Sequence, residues 1–255
     1  MNTAAPLLAI SGLHVQFGGL IALDSASLEI APNSVVSLIG PNGAGKTTLF
    51  NAISGFVPIS GGTLSFQGSQ IPWPATHDLA QLRISRTLQG VGLFSGLTVL
   101  ENVMLGADTS KSSNIFTDLL GLSGRSENLL RDKAMEMLSS LGVADLAARL
   151  PHELSYPDSK KVALARALIM DPVLLMLDEP AAGLDQADID GLATIINEVK
   201  KNCAVFVVEH HVDFVGEISD QVYVLNFGKI IASGTFNDVK ENPDVLTAYL
   251  GSSNH

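Results

Sequence analysis

One short segment constrains the fold of this chain more than any other. It reads Gly40-Pro41-Asn42-Gly43-Ala44-Gly45-Lys46-Thr47 and fits the pattern G-x-x-x-x-G-K-[ST]. An apolar run, Ser34 to Ile39, precedes it, and residues suited to a helix follow it. Strand, glycine loop and helix in this order let backbone N–H groups turn inward around phosphates, with the positive end of the helix dipole behind them. The segment therefore predicts an α/β fold with a phosphate-binding loop.

The loop carries two side chains that suit a nucleoside triphosphate. Lys46 can reach the β- and γ-phosphate oxygens, and the Thr47 hydroxyl can ligate Mg²⁺. A glycine turn with an accidental lysine would match the pattern without binding anything, but the strand before it and the helix after it favour function. The predicted nucleotide contacts are Gly40, Pro41, Asn42, Gly43, Ala44, Gly45, Lys46, Thr47 and Thr48.

A second apolar run, Val173 to Leu177, ends in two acids, Asp178 and Glu179. Acids at the end of a strand are common, and alone they indicate little. Beside a phosphate loop, however, the first can hold Mg²⁺ and the second can deprotonate the attacking water. We therefore predict that Asp178 is the metal-binding acid and that Glu179 is the general base.

Composition excludes several classes of protein. The net charge is −11 and the isoelectric point is about 4.8, which disfavours non-specific binding to nucleic acid. The single cysteine excludes a disulfide framework and a cysteine-based zinc site. Lys46 is the first lysine or arginine, so we expect no secretory or transit peptide, and no apolar run is long enough to span a membrane. We expect a protein of the reducing cytoplasm.

Apolar patterning predicts how the chain is organised. The first third alternates like strands, as at Leu13, Val15 and Phe17. Later, Val173–Leu177 and Ala204–Val208 flank a segment with helical spacing, which suggests a βαβ unit and a parallel sheet. The expected fold is an α/β core with an N-terminal antiparallel sheet and a helical subdomain at about 90–160. A C-terminal tail follows from about 236 to 255.

These motifs together resemble the nucleotide-binding subunit of an ABC transporter, in that family's order and over nearly the whole chain. The run Asp178 to Asp185 is similar to the family's Walker B motif and D-loop, and Arg86-Thr87-Leu88-Gln89 is similar to its Q-loop, with Leu88 where Phe is expected. Glu209-His210 resembles the switch-histidine region. The resemblance implies one nucleotide-binding domain over 1–255, built on a P-loop ABC ATPase core, that uses ATP and Mg²⁺.

The resemblance also implies roles for single residues. Gln89 would sense Mg²⁺ and the γ-phosphate, and His210 would bridge the γ-phosphate and water, although His211 stays open as the switch residue. Phe17 would stack on adenine, although an apolar residue in a strand is more often part of a core. Asp185 would communicate across a dimer, which is compatible with its capping a helix. Two subunits would sandwich two ATP molecules, each held by one chain's loop and the other's signature motif.

Within the family, the sequence is most similar to the branch that energises import of branched-chain (hydrophobic) amino acids. Phe17-Gly18-Gly19-Leu20, Pro180 to Leu184 and the segment Asn242 to Gly251 carry this likeness. Related branches of the family import urea or amides or export lipopolysaccharide. Two alternatives come from other functional classes: a soluble ABC ATPase that acts on nucleic acid or ribosomes, and a regulatory subunit that binds ATP without hydrolysing it. The implied partners are a second ATPase subunit, membrane permeases and, indirectly, a solute-binding protein, at the cytoplasmic face of the membrane. The sequence does not name the solute.

The signature motif departs from the family. This branch reads Leu-Ser-Tyr-Gly, whereas the chain reads Leu154-Ser155-Tyr156-Pro157. Ser155 can still donate to a γ-phosphate oxygen, but Pro157 has no backbone N–H to offer. Either Pro157 is a tolerated variant, or the partner's ATP is hydrolysed slowly, which would favour a heterodimer over a homodimer.

Overall fold

The computed structural model describes residues 5–87, 90–107 and 124–251 of the chain. Contacts between residues form two compact units. One unit combines Met1–Arg86 with Val173–His255, and the other is Thr87–Pro172. The range 90–160, predicted as a helical subdomain, falls within the residue range of the second unit.

The first unit contains an antiparallel sheet built from the N-terminal part of the chain. Its spatial order is β2-β1-β4-β5, with the strands β1 (Leu8–Phe17), β2 (Leu20–Ile30), β4 (Gly61–Phe66) and β5 (Ser69–Ile71). Leu13 and Val15 alternate with more exposed neighbours along β1, as the period of two requires. The predicted N-terminal antiparallel sheet is confirmed.

A second, largely parallel sheet forms the centre of the same unit. Its order is β10-β9-β3-β8-β7-β6, with the strands β3 (Val35–Ile39), β6 (Ile84–Arg86), β7 (Leu174–Asp178), β8 (Ala204–Val208), β9 (Gln221–Asn226) and β10 (Lys229–Gly234). Every residue of β3, β7 and β8 is buried, which explains why these strands read as continuous apolar runs. Only β9 and β10 pair antiparallel in this sheet.

Helices alternate with strands along much of the chain, as in other α/β folds. They are α1 (Lys46–Ile53), α2 (Val99–Met104), α3 (Gly124–Ser140), α4 (Tyr156–Leu168), α5 (Gln186–Val199), α6 (Val212–Ile218), α7 (Phe236–Lys240) and α8 (Pro243–Gly251). Helix α5 connects the parallel neighbours β7 and β8, so the predicted βαβ unit is present. Among the described residues, no helix is long and apolar enough to cross a membrane.

The order of the parallel strands decides where functional residues meet. Strand β8 lies between β3 and β7, and all three run in the same direction. Their carboxyl ends therefore share one edge of the sheet, where ligands of α/β folds bind. Helix α1 is fixed at this edge because Phe50 stacks on Phe206 of β8, with 6.3 Å between ring centroids.

The unit Thr87–Pro172 contains the helices α2, α3 and α4. Its interior is apolar, with Val99, Val103, Leu138 and Val162 fully buried. Asn102 is also fully buried, and its side-chain amide donates to the carbonyl oxygens of Phe94, Leu97 and Thr98. That amide thereby fixes the loop that leads into α2.

Candidate functional site

The predicted phosphate-binding loop connects β3 to α1, as the sequence indicates. Gly43 and Gly45 adopt φ angles of +78° and +106°, which side chains with a Cβ rarely tolerate. A Cβ on Gly45 would also stand 2.7 Å from the carbonyl oxygen of Ala22. Helix α1 has no side chain capping its first turn, so its N-terminal N–H groups stay available to a ligand.

Lys46 lies inside this loop and is nearly buried. Its ammonium group donates to the carbonyl oxygens of Gly40, at 2.7 Å, and Pro41, at 3.0 Å. Burial lowers the pKa of Lys46, and the negative charges of Glu179 and Asp178 partly oppose this by raising it. The loop thus holds its one cation among its own carbonyls, next to the two acids that the sequence singled out.

A cleft of about 490 Å³, the smaller cleft, opens beside the loop. It brings together most of the residues predicted to hold a nucleotide. Its lining is Phe17, Leu20, Ile21, Ala22, Asn42, Gly43, Ala44, Gly45, Lys46, Thr47, Thr48, Glu179, Phe227 and Gly228. Phe17 ends β1 and is 43% exposed, so it is a wall of the cleft and not a core residue.

The two acids stand in different environments at the end of β7. Asp178 is buried, and its pKa is raised first by burial and then by the neighbouring charge of Glu179, while Arg86 opposes the rise. Glu179 is 39% exposed and takes an unusual φ of +48° as the chain leaves the strand. A strained backbone of this kind is found most often at functional sites. The acid predicted to bind metal is therefore enclosed, and the predicted base faces the cleft.

His210 is the titratable side chain that the structure puts beside Glu179. Its Nδ1 atom lies 3.6 Å from a carboxylate oxygen of Glu179 and 3.6 Å from one of Glu209. The neighbouring His211 has a buried Nδ1 with no hydrogen-bond partner among the described residues. Of the two histidines, His210 is therefore the one whose ring lies next to the Glu179 carboxylate.

His210 also lines a second cleft of about 930 Å³, the larger cleft. Gly40, Pro41, Asn42, Gly43 and Ala44 form one wall, and the last three of these also line the smaller cleft. The C-terminal helix α8 forms another wall, through Asp244, Thr247, Ala248 and Tyr249. Burial raises the pKa of Tyr249, and a hydrogen bond from the backbone of Gly40 opposes this.

Glu209, which the sequence analysis named only as part of the switch-histidine region and gave no role, is a structural residue of the site. Its side chain is fully buried, and one oxygen accepts a hydrogen bond from the Ala181 N–H at 2.8 Å. The other accepts from the N–H groups of His210, at 2.7 Å, and His211, at 3.0 Å. Glu209 therefore ties the segment after β7 to the segment after β8. The signal was available, since Glu209 follows the buried run of β8 as Glu179 follows that of β7.

Replacing Glu209 with Ala is expected to destabilise the protein by about 3 kcal/mol, because the buried Ala181 N–H and the partly buried N–H groups of His210 and His211 lose their acceptor. Urea unfolding of the purified chain measures this. Glu217→Ala, which removes an exposed carboxylate from α6, is the control and should change stability by less than about 0.5 kcal/mol. Equal changes in the free energy of unfolding for the two variants would contradict the structural role of the Glu209 hydrogen bonds.

Two further predicted site residues, Asp185 and Ser155, are not among the residues that line the two clefts. Asp185 caps α5, and its side chain accepts from the Asp188 N–H at 2.9 Å. Ser155 caps α4 in the unit Thr87–Pro172, where its hydroxyl accepts from the Asp158 N–H at 3.1 Å. Gln89 falls outside the described residues.

The site contains oxygen donors that fit Mg²⁺. Magnesium prefers carboxylate, hydroxyl, phosphate and water oxygens, and it usually takes only one or two ligands from the protein. Asp178 and Thr47 supply donors of this kind. Among the described residues, no cluster of three or more His, Cys, Asp or Glu side chains forms a closed metal cage.

Two families of known proteins match the sequence. The family described as ABC transporter matches residues 23–182, and the family described as Branched-chain amino acid ATP-binding cassette transporter matches residues 229–254. The high-affinity branched-chain amino acid transport ATP-binding protein LivG of Salmonella typhimurium is 38% identical over 252 residues, 97% of this chain and 99% of that protein. BraF of Pseudomonas aeruginosa, which carries the same description, is 36% identical over the same shares.

Solved structures show the same fold. A nucleotide-free ATP-binding cassette from an ABC transporter superposes with a TM-score of 0.83 and 30% identity, covering 96% of this chain and 98% of that one. The ADP conformation of MJ1267, an ATP-binding cassette of an ABC transporter, superposes with a TM-score of 0.84 and 30% identity. This match covers 97% of this chain and 100% of that one. The chain therefore belongs to the ABC transporter family, as one of its ATP-binding cassettes.

Proposed function

We propose that this chain hydrolyses ATP to drive a membrane importer of branched-chain or other hydrophobic amino acids. One observation carries the ATPase part. A single cleft joins the aromatic Phe17, the phosphate loop with Lys46, and Glu179, whose carboxylate lies 3.6 Å from His210.

Each wall of the smaller cleft suits one part of ATP. The half-exposed ring of Phe17 offers a flat surface for the base. The loop N–H groups from Gly43 to Thr48 and the ammonium of Lys46 suit the phosphates. Thr47, Asp178 and Gln89 are the proposed side-chain ligands of Mg²⁺, which would neutralise charge on the β- and γ-phosphates.

Glu179 and His210 divide the chemistry between them. Glu179 accepts the proton of the attacking water, a role that its partial exposure at the cleft allows. His210 holds the γ-phosphate and the water, because a neutral imidazole accepts a hydrogen bond at one nitrogen and donates at the other. Glu209 is the positioning residue, since it holds the backbone of His210 next to the segment of Glu179.

The transported solute is proposed from the relatives. LivG and BraF are described as branched-chain amino acid transport ATP-binding proteins, and the family that matches residues 229–254 also names branched-chain amino acids in its description. The partners would be a second ATPase subunit, membrane permeases and, indirectly, a solute-binding protein, with this chain on the cytoplasmic face and no nucleic acid bound.

Uptake by membrane vesicles that carry the assembled transporter tests this proposal. ATP-dependent accumulation of labelled leucine, lost in a Glu179→Gln complex, is the expected result. Accumulation of urea in place of leucine, or export of lipopolysaccharide, would assign the protein to a related branch of the ABC transporter family. Co-purification with RNA or ribosomes in place of a permease would overturn a role in transport.

A heterodimer is the proposed arrangement, and Pro157 supports it. Helix α4 begins at Tyr156, so Pro157 stands in its first turn, where proline is tolerated but supplies no N–H. The Ser155 hydroxyl donates to the Asp158 carboxylate at 2.6 Å, and in the dimer it would exchange this bond for one to the partner's γ-phosphate. In a homodimer both ATP sites would lack the donor, whereas in a heterodimer a normal partner signature would complete this chain's own site.

Pro157→Gly is therefore expected to raise ATP turnover at the partner's site by about tenfold or more, because a hydrogen bond to a charged group contributes about 1.5–3 kcal/mol. Phosphate release is measured in complexes with one Walker B glutamate disabled at a time. Turnover at this chain's own site serves as the internal control and should not change. Equal wild-type turnover at the two sites would mean that Pro157 is only a tolerated variant.

A further inference from the structure

The turn between β9 and β10 places an aromatic side chain at the smaller cleft. Asn226 pairs with Lys229, so Phe227 and Gly228 are the two central residues of a hairpin turn. Phe227 lines the smaller cleft together with Phe17 and Lys46, and it also borders the larger cleft. Its side chain is 86% exposed.

Phenylalanine is an unfavourable choice for this position. The φ angles of Phe227 and Gly228 are +44° and +76°, the pattern of a type I′ turn, in which Asn or Asp is favoured first and Gly second. A bulky residue with a positive φ is strained, and an exposed ring gains nothing from burial. Strain of this kind is kept mainly where a residue serves a function.

A second hairpin in the same chain provides the comparison. Phe66 pairs with Ser69, and the two residues between them, Gln67 and Gly68, have φ angles of +50° and +78°. The backbone geometry is the same, but this turn lies away from both clefts and carries a polar side chain. The phenylalanine is therefore not required by the turn itself.

The turn of Phe227 is firmly attached to the phosphate loop. The Gly228 N–H donates to the carbonyl oxygen of Ala44 at 2.9 Å, and the Gly228 carbonyl accepts from the Asp24 N–H at 2.9 Å. A Cβ on Gly228 would lie 2.8 Å from the carbonyl oxygen of Ala22, so the turn also packs closely on β2. The position of Phe227 is thus set by the loop and by β2, both of which line the cleft.

We propose that Phe227 is a second aromatic contact for the bound nucleotide, packing on its base or ribose. The phosphates are matched by the loop N–H groups and Lys46, so the apolar ring suits the uncharged faces of the ligand. The inference rests on the proposed function, since it requires that the smaller cleft binds a nucleotide. Binding would bury the ring and so offset the strain of the turn.

Phe227→Asn separates the two roles, because Asn suits a type I′ turn but has no ring. The unfolding midpoint of the full chain is expected to rise by about 1–4 °C. The Kd for ADP with Mg²⁺ is expected to weaken by about threefold to tenfold, as an aromatic contact predicts. Phe227→Tyr keeps the ring and should restore wild-type affinity.

Two controls test whether weaker ADP binding comes from the lost contact between the Phe227 ring and the base or ribose. Gln67→Asn makes the matched change in the other turn and should leave the Kd for ADP unchanged. Inorganic tripolyphosphate, which has neither base nor ribose, should bind wild type and Phe227→Asn equally.

The outcomes distinguish this inference from the function on which it rests. If wild type did not bind ADP, the proposed nucleotide site would fail, and this contact with it. If wild type and Phe227→Asn bound ADP equally, only the contact would be overturned. If the two proteins bound ADP equally but Phe227→Asn slowed ATP hydrolysis in the assembled transporter, the nucleotide contact would also be overturned. The Phe227 ring would then be assigned to a contact with a neighbouring subunit.

Discussion

Glu179→Gln is expected to keep ATP binding and to slow ATP hydrolysis by about 10²–10⁴-fold, the usual effect of removing a general base. The amide preserves the size of the side chain in the cleft wall but cannot accept a proton. The backbone of Glu179, with its φ of +48°, is held by the hydrogen bond from its N–H to the Val208 carbonyl oxygen at 2.8 Å, and this bond does not depend on the side chain.

Phosphate release by the assembled complex at saturating ATP and Mg²⁺ measures this prediction. A large fall in kcat at nearly constant KM indicates loss of a step in the chemistry and not of binding. Glu217→Gln, an exposed substitution on α6, is the matched control and should turn over like wild type. Wild-type turnover by the Glu179→Gln complex would remove Glu179 from the mechanism.

Lys46→Ala is expected to abolish high-affinity ATP binding, with a loss of at least about 10²-fold in Kd. The ammonium is the only charged group of the loop, and each hydrogen bond that it makes to a phosphate contributes about 1.5–3 kcal/mol. Its removal also takes away a positive charge that lowers the pKa of Asp178, so two acids would face the phosphates with less compensation.

Titration of the full chain with ATP and Mg²⁺ measures the loss. Lys201→Ala removes the same formal charge from an exposed side chain that pairs with Glu198, and it should leave the Kd unchanged. Circular dichroism and the unfolding midpoint must show that Lys46→Ala is folded. An unchanged Kd in a folded Lys46→Ala protein would falsify the assignment of the loop.

The parts of the site that follow from local chemistry were predictable from the sequence. The loop from Gly40 to Thr47 is one of them, because the glycine conformations and the lysine lie within a few residues of one another. The acids at the end of β7 are another, because a buried apolar run marks the strand and its end. The family resemblance then supplied Phe17 and His210, which lie far from the loop in sequence.

The sequence by itself determined that a strand, a glycine loop and a helix would form a phosphate site, and that two acids would end another buried strand. Only the tertiary structure decided that β8 lies between β3 and β7, and so brings Glu209 and His210 to the same edge. It also decided that the β9–β10 turn rests on Ala44 with Phe227 in the cleft wall. The reason is physical: conformational preferences act over a few residues, whereas strand order and close backbone contacts depend on packing between segments that are distant in the chain.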